Sequence, residues 1–211
     1  MLSALTFFIF LSAFLAIRAK YCGPPSGVYL FKPLTTILIL LTACMADTSL
    51  SMPYQRLILF GLLFSLAGDV FLMLPADRFL FGLLSFLIAH VFYVIAFTSG
   101  RGFGFTAWIF GIVLAIGILM AFLLLPYAGR MKLPVLIYMI IILVMAWQAW
   151  ELFHANGRMN SLLAAAGAAL FVFSDSLLAW NRFRRPFKSA EAVKLIAYFA
   201  AQWLIAVSIR P

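Results

Sequence analysis

The sequence predicts an all-α membrane protein, a bundle of eight transmembrane helices. Of its 211 residues, 66% are hydrophobic and 10% are charged, and the mean hydropathy is +1.14. A soluble domain has roughly a quarter of its residues charged. The hydrophobic residues form blocks of about 16 to 21, long enough at about 1.5 Å per residue to approach or cross a hydrocarbon core of about 30 Å. Helices are favoured because a spanning helix satisfies its own backbone hydrogen bonds.

Breaks at glycine, proline and charged residues divide the chain into eight spans. The connections are short, such as Cys22–Gly27 and Pro75–Arg78, so successive helices are expected to be antiparallel neighbours. No segment is long or polar enough to form a separate soluble domain, and residues 1–211 are expected to form one membrane domain. The predicted spans are Leu2–Ile17, Val28–Ala46, Leu57–Leu74, Phe79–Phe97, Phe105–Leu125, Leu133–Trp150, Ser161–Trp180 and Ala192–Ile209.

The net charge of +9 is distributed unevenly over this topology. Eleven basic residues lie in or beside the odd-numbered loops and four on the opposite side. This positive-inside bias predicts a multi-pass protein with both termini outside the cytoplasm, and we expect a bacterial inner membrane. The basic cluster Arg182–Lys188 then faces the anionic cytoplasmic leaflet, so the lipid bilayer is the expected partner and nucleic acid is not. The eleven residues are Arg18, Lys20, Lys32, Arg78, Arg130, Lys132, Arg182, Arg184, Arg185, Lys188 and Lys194.

The two halves of the chain resemble each other. The segments Gly61–Leu72 and Gly167–Leu178 both place an aspartate eight residues after a glycine. Four spans in each half predict a parallel 4+4 repeat, with halves of about 1–104 and 105–211. Chance similarity between two helices rich in leucine and phenylalanine is the alternative. Further matches in the same order are Lys32-Pro33 with Lys132-Leu133-Pro134, and Ala89-His90 with Ala201-Gln202.

Two of the six acidic residues lie deep in apolar sequence. Asp69 and Asp175 each stand about five residues before the predicted cytoplasmic end of a span, which is about 8 Å into the bilayer. Burying an ionisable group in a span costs at least ~2.5–3.5 kcal/mol, so a functional role is favoured, and at equal depth the two could converge on one site. The alternative is that each pairs with a basic residue and holds helices together. Glu151, with His154 one turn later, is interpreted as an interfacial helix end.

Five further polar side chains within the spans are candidates for substrate binding. Lys32 stands one turn into the second span, where it could snorkel to the cytoplasmic surface, meet a lipid phosphate or pair with an aspartate. His90 and Tyr93 are three residues apart on one helical face, and Tyr198 and Gln202 are four apart. His90 and Gln202 lie nearer the middle of the membrane than Lys32 and the acids. The pattern predicts an elongated polar cleft open to the cytoplasmic leaflet, a shape that fits a single-chain lipid.

These polar residues lie in segments that resemble the YhhN-like family of membrane proteins, which includes the lysoplasmalogenases. The combination of GD, AHxxY, SDSLLA and a late YxxAQ carries the resemblance across nearly the whole chain. It implies an eight-span hydrolase that adds water to the vinyl-ether bond of a lysoplasmalogen. The implied substrate is a lysophospholipid, and the implied products are a fatty aldehyde and glycerophosphoethanolamine or glycerophosphocholine. The segments are Lys32-Pro33, Phe64–Leu74, Phe86–Phe97, Gly167–Trp180 and Tyr198 with Ala201-Gln202.

This chemistry requires a proton donor for carbon and a negative group near the developing oxocarbenium ion. Glycosidases use two carboxylates against the same kind of cation. We therefore predict that one of Asp69 and Asp175 is the acid and the other the stabiliser and water base, in an order that the sequence leaves open. The side chains expected to orient the water, the ether oxygen and the phosphate are Lys32, His90, Tyr93, Tyr198 and Gln202.

No cofactor is expected, because the chain has no CxxC, HExxH or Gly-rich phosphate loop. A metal site built from Asp69, His90 and Asp175 is not expected, because their depths differ by about 9 Å. The alternative function is a transporter or flippase for a lipid or small molecule, since parallel repeats and polar groups at the midplane also occur in carriers. A scaffold whose polar residues merely bond helices together is a third possibility.

Overall fold

The computed structural model describes residues 2–46, 52–185, 187 and 189–210, and this part of the chain folds into eight α-helices without a strand. All eight are long and apolar enough to cross a membrane, which confirms the predicted all-α fold. Lys188 of the predicted basic cluster lies outside the described residues. The helices are α1 (Leu2–Cys22), α2 (Pro25–Cys44), α3 (Met52–Met73), α4 (Phe79–Thr98), α5 (Ala107–Leu124), α6 (Lys132–Asn156), α7 (Met159–Phe183) and α8 (Ala190–Val207).

Most helices are longer than the predicted spans. The largest extension is in α6, which was predicted to end at Trp150 and continues to Asn156. It stops at Gly157, whose φ of 59° gives the left-handed conformation that commonly ends a helix. Hydropathy marks the part of a helix that crosses hydrocarbon, whereas the backbone hydrogen bonds continue beyond it until a residue such as this glycine breaks them.

Glu151, which the sequence analysis interprets as an interfacial helix end, stands near the end of α6 and is buried in the protein. Its side chain is 6% exposed, and Oε1 accepts hydrogen bonds from the Thr106 backbone N–H at 2.6 Å and the Trp147 indole at 2.9 Å. Oε2 accepts a third from the Thr106 hydroxyl at 2.7 Å. The neighbouring Gln148 binds both the N–H and the carbonyl of Gly104. These two side chains of α6 therefore hold the segment that leads into α5.

Close packing within the bundle is concentrated in two helix pairs, α3 with α4 and α7 with α8. Each pair contains a glycine at the contact. A Cβ at Gly61 would overlap the ring of Tyr93, and a Cβ at Gly167 would lie 2.8 Å from the carbonyl oxygen of Ala201. In addition, α4 packs against α6, and α8 packs against α2, so the two halves meet in corresponding ways. This pattern supports the 4+4 repeat, which stays a prediction.

The fifth helix is the least buried of the eight. Ile109 and Leu124 are its buried residues, and α5 packs mainly against α6. On its inner side Met120 approaches α7, where its sulfur lies 3.5 Å from the Ser176 hydroxyl. Among the described helices, α5 is therefore the one that covers the inner faces of α6 and α7 on that side.

Candidate active site

Asp69 of α3 lies at the centre of a polar network inside the bundle. The residue is completely buried, and its Oδ1 lies 2.9 Å from Nζ of Lys32. Its Oδ2 accepts hydrogen bonds from the Tyr198 hydroxyl at 2.7 Å and the Thr36 hydroxyl at 2.8 Å. Lys32 and Thr36 are four residues apart on α2 and therefore share a face, while Tyr198 comes from α8. The carboxylate of Asp69 thus joins three helices through one ion pair and two hydrogen bonds.

A cavity of about 690 Å³ opens at the end of the bundle where α3 and α7 finish and α2 and α8 begin. This is the end that the charge bias predicts to face the cytoplasm. Lys32 lines the cavity, whereas Asp69 lies behind it. Five cationic side chains and two carboxylates contribute to the walls, so the cavity has a positive balance. They are Lys20, Lys32, Arg78, Arg182 and Lys194 with Asp77 and Glu191.

Both carboxylates of the basic cavity are already paired. Lys194 Nζ lies 2.8 Å from Glu191 Oε1, and Arg182 Nη2 lies 2.5 Å from Asp77 Oδ2. The hydrogen bond from Arg182 lowers the pKa of the exposed Asp77 carboxyl below its ordinary value of 3.8. Among the residues that the structure describes, no carboxylate lies within ion-pair distance of Lys20. An anionic ligand would therefore find uncompensated positive charge in this cavity.

Asp175 of α7 has different surroundings. It is half-buried, and its Oδ2 accepts a hydrogen bond from the Tyr138 hydroxyl of α6. Both residues line a second, small cavity of about 20 Å³ whose other walls are apolar side chains of α4, α5, α6 and α7. Phe79 and Leu178 line this apolar cavity and also the basic cavity. The two compartments are therefore adjacent, with one aromatic and one aliphatic side chain between them.

The structure brings some of the predicted site residues together and separates others. Lys32, Asp69 and Tyr198 are in direct contact, and of the three possibilities for Lys32 the structure has it paired with an aspartate. No hydrogen bond joins Asp69 to Asp175 in the described part of the chain, although the two are close enough to interact electrostatically. They stand in neighbouring compartments, not side by side.

Three predicted residues lie deeper, in the centre of the bundle. His90, Tyr93 and Gln202 are completely buried, and none of them lines a described cavity. The His90 ring packs edge-on against Tyr138 and Phe171, at centroid distances of 5.3 and 4.7 Å. The predicted cleft is therefore open only near its mouth, and the polar residues beyond Lys32 are enclosed by protein.

Two residues of the site were not predicted. Thr36 could have been found, because it stands four residues after Lys32 on the same helical face. Tyr138 carries no such signal, since tyrosine is common in apolar spans and its hydroxyl finds Asp175 only when α6 and α7 pack together. The tyrosine contact depends on tertiary structure, and sequence spacing does not encode it.

A family model supports the resemblance noted in the sequence. The model described as the YhhN family matches residues 27–209, which is most of the chain and includes Lys32, Asp69, Tyr138, Asp175 and Tyr198. No solved structure matches the chain.

Several curated proteins are similar to this chain. The uncharacterized membrane protein YhhN of Escherichia coli is 32% identical over 199 residues, covering 94% of this chain and 95% of that protein. Lysoplasmalogenase TMEM86A of Bos taurus is 35% identical over 163 residues, covering 75% of this chain and 67% of the relative. Lysoplasmalogenase TMEM86B of Homo sapiens is 35% identical over 159 residues, covering 74% of this chain and 64% of the relative.

Proposed function

The chain belongs to the YhhN family, and from that premise we propose that it is a hydrolase that cleaves the vinyl-ether bond of a lysoplasmalogen. The observation that carries the proposal is the pair of adjacent compartments, one basic and one apolar, with a carboxyl group in the wall of the apolar one. A lysophospholipid has a matching division into an anionic headgroup and a single chain. Its vinyl-ether bond lies just where these two parts join.

The headgroup binds in the basic cavity. A phosphate there meets cationic side chains from several elements, and charge-assisted hydrogen bonds to phosphate are among the stronger polar contacts. Lys20 and Arg78 supply the positive charge that is not paired with a carboxylate in the described part of the chain. Lys32 stands at the inner end of this cavity, where its ammonium group contributes to the same positive field while remaining paired with Asp69.

The alkenyl chain of the lipid continues past Phe79 and Leu178 into the apolar cavity. This sets the vinyl-ether bond beside Asp175. The cavity of about 20 Å³ holds little more than one water molecule, so an alkenyl chain enters it by displacing the thin wall formed by α5. Because α5 buries few of its residues, it is the helix whose displacement disrupts the least packing. This route also lets the far end of the lipid chain remain in the bilayer while the vinyl-ether bond is cleaved.

We assign proton donation to Asp175. An enol ether hydrolyses when an acid transfers a proton to the carbon distal to oxygen, and Asp175 is the carboxyl group that lines the apolar cavity. Its protonated form transfers the proton to that carbon and leaves an oxocarbenium ion. Tyr138 holds the Asp175 carboxyl in place through its hydrogen bond. Positioned general acids typically contribute about 10²–10⁴-fold to a rate.

Asp69 is assigned the role of a fixed negative charge. One ion pair and two hydrogen bonds engage its carboxylate, and it lies behind Lys32 without access to either compartment. The charges of Lys194 and Lys32 also reach Asp175, and the Asp69 carboxylate offsets this positive charge near the developing cation. Water then adds to the oxocarbenium carbon and returns a proton to Asp175. The resulting hemiacetal collapses to a fatty aldehyde and the free hydroxyl of the glycerophospho headgroup, which balances the addition of one water.

An apolar layer interrupts the polar interior near the middle of the bundle, which weighs against a carrier. Beyond the buried polar residues the next layer contains Ile58, Leu62 and Ile205, all fully buried and apolar. A transported headgroup would have to pass through that layer. An enzyme needs access from one side only, and the basic cavity provides it.

Purified protein incubated with a 1-alkenyl lysophospholipid tests the proposal. Mass spectrometry is expected to find fatty aldehyde and glycerophospho product in equal amounts. The matched control lipid has the same headgroup and chain length but a saturated 1-alkyl ether, which cannot be protonated at carbon and is expected to remain intact. Aldehyde no higher than in a protein-free sample, or equal loss of both lipids, would contradict the proposal.

A further inference from the structure

Six buried polar atoms cluster in the middle of the bundle without a protein partner. They belong to four side chains, and within the described part of the chain none makes a hydrogen bond. Buried polar groups are hydrogen-bonded in the great majority of cases, to protein or to internal water. Leaving one unsatisfied costs about 1–3 kcal/mol, so six such atoms in one region indicate a ligand. The atoms are Ser65 Oγ, His90 Nδ1 and Nε2, Tyr93 OH, and Gln202 Nε2 and Oε1.

Helix geometry places two of these side chains opposite each other. Ser65 stands four residues before Asp69 on α3, and Gln202 stands four residues after Tyr198 on α8, so each shares a face with its partner. Asp69 and Tyr198 are hydrogen-bonded across the two helices. Because α3 and α8 run in opposite directions, Ser65 and Gln202 both lie one turn deeper than that bond, on facing sides.

The other two side chains come from α4. The Tyr93 hydroxyl faces Ser65, although the two do not form a hydrogen bond of standard geometry. His90 lies three residues earlier on the same helix, with its ring centroid 6.3 Å from that of Tyr93 and 5.3 Å from that of Tyr138. His90 therefore stands between the polar cluster and the tyrosine that binds Asp175.

The cluster is enclosed and polar. All four residues are buried to the full extent, and the cavities described above do not include them. A hydroxyl, a phenol, an imidazole and an amide together offer both donors and acceptors but no net charge. This composition fits a small neutral ligand with two hydrogens and two lone pairs, and it does not fit a metal ion or a phosphate.

We infer that Ser65, His90, Tyr93 and Gln202 form an internal water site. A buried water typically makes about three hydrogen bonds, and these four side chains carry six unpartnered polar atoms. Resting on the proposed function, the site also supplies the water that the reaction consumes: the water oxygen bonds to the oxocarbenium carbon and its proton passes to Asp175. The four residues are positioning residues for that water. The water reaches the apolar cavity past the ring of His90, which contacts Tyr138 in the wall of that cavity.

Radiolytic hydroxyl-radical footprinting of the purified protein, without substrate, tests the water site. Radicals formed from bound water modify side chains beside it, so Tyr93 is expected to be modified despite its burial. Met145 is also completely buried and is intrinsically more reactive, but the water cluster does not include it, so it serves as the protected control. Gln202→Leu, which keeps the shape and removes both polar atoms, is expected to lose the Tyr93 modification. Ser65→Ala provides a second, smaller change if the leucine variant does not fold.

Tyr93 protected to the same degree as Met145 in the wild-type protein would overturn the water site, whatever the enzyme does with lipids. If the modification is present, the aldehyde assay tests its role. The variant that loses the modification is expected to lower kcat with KM unchanged, because water is used only after the lipid has bound. Wild-type kcat in that variant would overturn the assignment of this water to the reaction and leave the hydrolase proposal standing.

Discussion

Asp69 of α3 and Asp175 of α7 each stand eight residues after a glycine, yet their surroundings differ in every respect that matters for chemistry. Asp69 is completely buried and engaged by a lysine and two hydroxyls. Asp175 is half-buried, receives one hydrogen bond from Tyr138 and faces an apolar cavity. An aspartate within a membrane span is therefore not by itself a catalytic group. In the proposed mechanism, the donors that reach it and its access to a ligand separate the structural carboxylate from the reactive one.

The difference originates in the helices that precede the two aspartates. Lys32 of α2 points inward and is 9% exposed, whereas its counterpart Lys132 stands at the first residue of α6 and is exposed. The proline that follows is one residue later in the second half, which shifts the register of the lysine relative to the helix. Asp175 consequently has no lysine within ion-pair distance among the described residues, and a tyrosine takes that place.

Asp69→Asn is expected to have the largest effect on stability. Asparagine removes the negative charge and leaves the buried ammonium of Lys32 uncompensated, and breaking a buried ion pair in this way costs about 3–5 kcal/mol. Thermal unfolding in detergent is expected to show a strongly lowered Tm. The double variant with Lys32→Gln removes both charges and is expected to recover most of the loss. A single variant with wild-type Tm would contradict the structural role of the pair.

Tyr138→Phe and Tyr198→Phe form a matched pair of smaller changes. Each removes one hydroxyl that donates to one of the two aspartates. Asp175 becomes a carboxylate as it gives up its proton, and a hydrogen bond to a charged group contributes about 1.5–3 kcal/mol. Tyr138→Phe is therefore expected to lower kcat about tenfold or more with a small effect on Tm. Tyr198→Phe is expected to lower Tm clearly and to change kcat little. The reverse pattern would exchange the roles of the two carboxylates.

Asp77→Asn is expected to have the smallest effect. Its ion pair with Arg182 is exposed, and exposed pairs contribute little to stability. Because the hydrogen bond from Arg182 lowers the pKa of Asp77, the pair stabilises the protein at neutral pH and this contribution is lost as the pH falls through the lowered pKa. The slight Tm difference between wild type and variant is therefore expected at pH 7 and absent well below pH 3.8. A difference that persists in acid would show that the charge pair is not its cause.

Composition and hydropathy predict the helical architecture well, because a membrane restricts a spanning chain to few structures. All eight spans were found, with errors only at ends such as that of α6. The importance of Lys32 and Asp69 was also predictable, since charges in apolar sequence are costly. Their direct contact was one of several open alternatives, because it depends on how α2 and α3 rotate against each other.

Other features of the site depend on tertiary packing. Tyr138 binds Asp175 only because one face of α6 packs against α7. Ser65 belongs to the buried polar cluster only because its face of α3 packs against α4. The burial of Glu151 was not predicted for a related reason: besides Trp147, its partner is Thr106 in the segment before α5, more than forty residues away. Spacing within one helix predicts which residues share a face, and it does not predict which other helix that face meets.

The rate of aldehyde release by Asp175→Asn is the most direct test of the central claim, that Asp175 is the proton donor. Asparagine keeps the shape and can still accept the hydrogen bond from Tyr138, but it has no carboxyl proton to transfer to carbon. In the assay with a 1-alkenyl lysophospholipid, kcat is expected to fall by at least ~10²-fold, the low end for a general acid, with Tm close to that of the wild type. A folded Asp175→Asn protein that releases aldehyde at a near wild-type rate would contradict the account.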